Sequence, residues 1–118
     1  MAIQLNISAE SGYKYDQGVI EQRVGEVIAK EKITQNVEIN VAIVGEETIK
    51  ELDKEWLKGP GEVHDVLSFP LDRDTTYPDG VMRLGDIAVC YPEAEKQGET
   101  IEFLVEHGVN HLLGKNHE

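Results

Sequence analysis

The eight residues Val37-Glu-Ile-Asn-Val-Ala-Ile-Val44 constrain the fold more than any other stretch of this chain. They alternate apolar and polar at first and end fully apolar. A strand with that pattern has one face open near its start and both faces covered near its end. The chain must therefore build a sheet and supply elements to cover it. Helical periodicity on either side provides them. Val19, Ile20, Val24, Val27 and Ile28 recur at helical spacing within residues 17–30, and Ile49, Leu52, Trp56 and Leu57 do so within residues 46–57. That spacing puts Trp56 and Leu57 on the buried side of the second helix. It leaves the acids Glu46, Glu47, Glu51, Asp53 and Glu55 on a solvated face. Gly25 either weakens the first helix or admits a closely approaching neighbour.

The remaining segments complete an α+β pattern. Residues 3–7 alternate as a short strand, and residues 66–71 form another that Pro70 stops or pushes to a sheet edge. Residues 84–90 form a further strand, in which Gly85 marks a bulge or a close approach. Pro92 opens a helix to Lys96, and Thr100 caps a last helix through Leu113 with Ile101, Leu104, Val105 and Leu112 toward the core. The expected result is roughly four strands and four helices in one layer pair, with residues 1–118 as a single domain.

Composition narrows the function. The net charge of −12 argues against loose, sequence-independent binding to nucleic acid, although it leaves room for a local phosphate contact. No apolar run approaches the length of a membrane span. The first residues lack the basic and apolar regions of a signal peptide. One cysteine, Cys90, excludes an internal disulfide framework. A cytoplasmic location is the simplest expectation.

Three of the four histidines fall in the last dozen residues, His107-Gly-Val-Asn-His-Leu-Leu-Gly-Lys-Asn-His117-Glu118. Positions i and i+4 are neighbours on one helical face, so His107 and His111 can aim at one point. Gly114 is suited to end that helix in a left-handed cap. The chain then turns, and His117 can return to the same point. Three neutral imidazoles with one open position form the ligand set of a catalytic zinc, and imidazole also suits nickel, copper and iron. A closed structural site is the alternative if Glu118 or His64 fills the fourth position. Gly108 stands where the His-Glu-x-x-His peptidases carry their general base, which counts against a peptidase. Asp86 is an acid planted in an apolar strand. It is either turned outward or held by a partner, and orienting a ligand histidine is one such role.

Three segments in order, His64-Asp-Val-Leu-Ser-Phe-Pro70, Leu84-Gly-Asp-Ile87 and His107-Gly-Val-Asn-His-Leu-Leu-Gly-Lys-Asn-His117, resemble the YbeY family of bacterial rRNA-maturation endoribonucleases. The resemblance implies a metal-dependent hydrolase of zincin-like type with a mixed sheet. It implies zinc held by His107, His111 and His117, and single-stranded RNA as substrate. It further implies roles in small-subunit rRNA maturation and ribosome quality control, with the ribosome or a ribosomal protein as partner. Neither DNA nor a membrane is expected as a partner.

The departures are specific. Lys58 replaces a family arginine, which keeps the charge but loses the bidentate fork. His64 replaces threonine, Lys115-Asn116 replaces Tyr-Asp, and Asn110 replaces an aliphatic residue. His117 stands one residue from the end of the sequence, where a ligand is expected to fray unless metal pins it. Lys58 is then the candidate for neutralising charge on phosphate, with Ser68 and His64 contacting substrate or relaying a proton. Two competing readings stand beside the nuclease. One is a ribosome-assembly binding factor with a structural metal. The other is a hydrolase of some other substrate.

Overall fold

A computed structural model describes residues 2–72 and 74–115 of the chain. The elements run β1 (Ile3–Ala9), a 3-10 turn (Glu10–Gly12), α1 (Gln17–Lys30), β2 (Val37–Val44), α2 (Glu46–Trp56), β3 (Val66–Pro70), β4 (Met82–Cys90), α3 (Tyr91–Gln97) and α4 (Ile101–Leu112). The strands form one mixed sheet in the order β1-β2-β4-β3. β1 and β4 both lie parallel to β2, while β3 runs antiparallel to β4 at the edge. Pro70 ends that edge strand, where its missing N–H costs no interior ladder bond.

Strand alternation divides the core in two. Val37, Ile39, Val41 and Ile43 of β2, with Ile87 and Val89 of β4, point to the face covered by α1 and α4. Val44, Ala88, Cys90 and Leu67 point to the opposite face, where Ile49 of α2 meets them. Helices therefore cover both faces of the sheet, which corrects the expected single layer pair. The second cover is partial, because α2 has only 11 residues.

α2 also departs from its periodicity. Trp56 is 62% exposed and Leu57 49%, whereas Asp53 is buried at 2%. Ile49 and Leu52 reach the sheet, but the helix ends before the sheet can cover Trp56, whose ring tilts over Phe69 at 6.3 Å. Asp53 leaves the expected solvated face because the loop after the helix folds back over it. Its carboxylate accepts from the Gly61 and Glu62 N–H groups, each at 2.9 Å, and Gly59 N–H reaches its carbonyl at 3.0 Å. Among the described residues Gly25 meets no neighbour within 4 Å of where a Cβ would stand, so no close approach by them explains it.

Two other glycines are required by packing. Gly85 takes a φ of 136° beside a register shift in the β2–β4 pair, and a Cβ there would lie 2.3 Å from the Phe69 carbonyl oxygen. Gly108 sets α4 against β4: a Cβ there would stand 2.8 Å from Ile87 Cγ2. That contact cannot relax by rotating a flexible tip, since Cγ2 is fixed close to the β4 backbone. Gly108→Ala should therefore destabilise the fold by about 1–3 kcal/mol despite the helix preference of alanine. Urea unfolding measures this; a midpoint equal to or above wild type would contradict the packing.

Candidate metal centre

α4 is fixed at both ends by local chemistry. Thr100 Oγ1 accepts the Phe103 N–H at 3.0 Å as an N-cap. At the other end Gly114 has a φ of 80°, Gly114 N–H donates to the His111 carbonyl at 3.0 Å, and Lys115 N–H donates to the Asn110 carbonyl at 2.9 Å. That is a Schellman cap, as the glycine position predicts. Between the caps, Ile101, Leu104, Val105, Gly108, Val109 and Leu112 are buried, which turns position 107 and position 111 away from the core.

His107 and His111 then meet. Their Nε2 atoms are 3.0 Å apart and the ring centroids 4.5 Å. Two nitrogens bound to one tetrahedral zinc at about 2.0–2.1 Å stand about 3.3 Å from each other. The pair therefore fits an ion with a shift of a few tenths of an ångström. The histidines line a cavity of about 380 Å³ with Asp65, Val66, Ser68 and Pro70 of the β3 edge. His117 lies outside the described residues.

The other residues singled out in the sequence divide between this cavity and two other places. Ser68 lies in the cavity, and its Oγ donates to the Gly108 carbonyl at 3.4 Å. Lys58 is an exposed residue at the end of α2, with a φ of 57° and its Nζ on the Glu55 carbonyl at 3.0 Å. His64 turns toward α2. Its Nε2 lies 2.7 Å from Asp53 Oδ1, and it is not among the residues lining the histidine cavity. Asp53, Glu62 and His64 offer three ligand atoms within 4.8 Å of one another, a second group of residues able to hold a cation. In this structure the same Asp53 oxygens close the loop 57–64. Asp86 shares the sheet face of Ala88 and accepts from Asn40 Nδ2 at 2.9 Å; Asn40 in turn accepts from Asn6 Nδ2 at 2.9 Å. The three form a rung across the register Asn6↔Asn40↔Asp86. This rung lies on the face opposite α4, so Asp86 does not orient either described histidine.

Sequence reasoning passed over Asp65 and Glu99. Asp65 lines the histidine cavity, and its carboxylate faces Glu99, just ahead of α4. Glu99 Oε1 is buried with no donor beside it among the described residues. Two carboxyl groups face each other favourably only with a proton between them. The hydrogen bond to Asp65, then burial, raises the Glu99 pKa above the ordinary glutamate value of 4.5. The missed signal was the position of Asp65 at the head of the β3 segment, which reads equally well as a turn acid.

The arrangement as a whole, a mixed sheet with a histidine pair on a helix against its edge strand, is that of the zincin-like metal-dependent hydrolases. The family description "Endoribonuclease YbeY" matches residues 6–118. The chain belongs to the YbeY endoribonuclease family. It is 32% identical to the endoribonuclease YbeY of Streptomyces griseus, over 98% of this chain and 79% of that protein. It is 38% identical to the endoribonuclease YbeY of a Sulfurihydrogenibium species, over 80% of this chain and 66% of the relative. The solution structure of TM1509 from Thermotoga maritima superposes with a TM-score of 0.54 at 28% identity, covering 98% of this chain and 75% of that one.

Two pH experiments follow from the carboxylates. The hydrogen bond from His64, with those from the loop N–H groups, holds the Asp53 carboxyl below its ordinary value of 3.8. A depressed acid stabilises the fold above its unfolded pKa, and that contribution is lost as pH falls through the folded pKa. Asp53→Asn should lower Tm by several degrees at pH 7, with the gap to wild type closing below about pH 4. Glu99 has the opposite sign: its raised pKa penalises the fold as pH climbs from the unfolded value through the folded one. Glu99→Gln should gain Tm over wild type at pH 7–8 and match it near pH 4. Thermal melts across that range test both, and a pH-independent difference in either variant would exclude the assigned cause.

Proposed function

We propose that this chain, as one domain over residues 1–118, is a zinc-dependent endoribonuclease of the cytoplasm. It would cleave single-stranded RNA in small-subunit rRNA maturation and ribosome quality control. The observation that carries the reading is the 3.0 Å approach of the His107 and His111 Nε2 atoms, in a cavity on the edge of the sheet, in a member of an endoribonuclease family. His107, His111 and, by its spacing, His117 would hold the ion; nickel or another divalent transition metal suits the same donors. Zinc bound there supplies Lewis acidity toward a phosphoryl oxygen and toward water.

The chain's own residues supply the rest. Ser68 Oγ sits in the cavity on a weak bond to the Gly108 carbonyl, and is placed to donate to a phosphate oxygen instead. The Asp65 carboxylate, which lines the cavity and faces Glu99, is the group there suited to accept a proton from an attacking nucleophile. Lys58 Nζ rests on the Glu55 carbonyl, and a swing of its exposed side chain would bring it to phosphate charge. No helix among the described residues is long and apolar enough to cross a membrane.

A second reading, a ribosome-assembly binding factor with a structural metal, draws on a different surface. An apolar groove of about 670 Å³ beside α2 is lined by Trp56, Leu57, Phe69 and Leu71, with Asp86 at its polar end, in a chain of net charge −12. Such a surface suits a protein partner better than a phosphate backbone.

His111→Ala should release the metal and reduce cleavage of a single-stranded oligoribonucleotide by at least about a thousandfold. Elemental analysis and a gel-based cleavage assay, with and without chelator, measure the two effects. Cleavage that persists in the metal-free variant excludes the nuclease mechanism. Binding to RNA or ribosomal protein without cleavage by the metal-loaded wild type favours the second reading.

A further inference from the structure

Phe103 lies one helical turn before His107 and is 45% exposed, although α4 offers buried positions on its other side at Ile101, Leu104 and Val105. Leaving a phenyl ring half in water forgoes burial that the fold does not otherwise recover there. The ring is not randomly placed. It lies 6.3 Å from the His107 ring and within 23° of parallel to it, so Phe103, His107 and His111 make one continuous stripe along the helix. The acids on α4 are turned off this stripe and engaged: Glu102 Oε2 accepts the Asp16 N–H at 2.9 Å, and Glu106 pairs with Arg23 at 3.4 Å. A flat apolar ring therefore stands about 6 Å along the helix from the first imidazole, on a stripe that the α4 acids Glu102 and Glu106 leave clear.

We propose that Phe103 is a stacking platform for the nucleobase next to the cleaved phosphodiester, and that it is the residue through which this site selects unpaired RNA. The inference rests on the ribonuclease reading of the histidine cavity. An aromatic face accepts any of the four bases, so the platform confers strand state and not sequence. A base inside a duplex is already stacked and cannot reach it. Phe103 acts on substrate binding and leaves the chemistry to the cavity.

The test is Phe103→Ala and Phe103→Trp in the metal-loaded full chain, assayed on a single-stranded oligoribonucleotide and on copies carrying one abasic position scanned along it. Phe103→Ala should raise KM about tenfold on the normal strand, with kcat and metal content unchanged, and Phe103→Trp should restore KM. Wild type should lose about as much affinity when one particular base beside the cleavage point is removed, and Phe103→Ala should be indifferent to that removal. An unchanged KM in Phe103→Ala overturns the proposal. So does a KM rise that is the same on the abasic strand, or a loss of metal, since either assigns Phe103 to holding His107. A metal-loaded wild type that cleaves no RNA overturns the ribonuclease reading and this inference with it; a wild type that cleaves while the variant is unaltered overturns this inference alone.

Discussion

The approach of α4 to β4 through Gly108 is the contact on which the site depends. Because position 108 has no side chain, the helix backbone settles against Ile87, and α4 lies low enough on the sheet for its next stripe to look over the β3 edge. His107 and His111 flank that contact at one residue before and three after. The same closeness lets Ser68 reach the Gly108 carbonyl. A bulkier residue at 108 would lift the imidazoles away from Asp65 and Ser68 before it affected their distance from each other. The glycine that removes the peptidase base from this helix is thus also the residue that seats the helix.

The opposite face of the sheet is organised by a different acid. Asp53 is a buried carboxylate that collects two loop N–H groups and the His64 ring, so the irregular residues between α2 and β3 enter the edge strand along a fixed path. The two faces carry separate tasks. One presents the histidine cavity and the exposed Phe103. The other presents the Asn6–Asn40–Asp86 rung and the apolar groove under Trp56. β3 is shared by both, with Ser68 toward the first and Phe69 toward the second.

Much of this was legible in the sequence because it is encoded locally. α1 and β2 follow from periodicity to their end residues, and the α4 cap follows from Gly114. The i, i+4 spacing of His107 and His111 fixes their meeting whatever the tertiary context. The errors lie where a distant segment decides the outcome. Nothing in residues 46–57 announces that the loop beyond them will return and bury Asp53, or that the sheet will end short of Trp56. His64 stands beside a strand that enters the histidine cavity, yet it faces Asp53, because the chain at 64–65 has not yet settled into strand alternation. Asp86 reads as an acid in need of a partner, and the partner is the Asn40 amide on the neighbouring strand β2, in register but remote in sequence.

The sheet order has a consequence for how the molecule assembles. Only the β3–β4 pair joins neighbours by a short connection; β1–β2 and β2–β4 are parallel pairs, each closed across an intervening segment. Pairings of that kind form slowly, because chain entropy is lost before contacts repay it. α4 follows the strands in the chain and has no complete seat until β2, β4 and β3 are aligned. The cavity therefore needs those strands in place, and the two imidazoles, which a bare helix would already bring together, gain Asp65 and Ser68 as neighbours only through the tertiary fold. The meeting of the imidazoles is thus a property of one helix, whereas the cavity beside them is a property of the whole sheet.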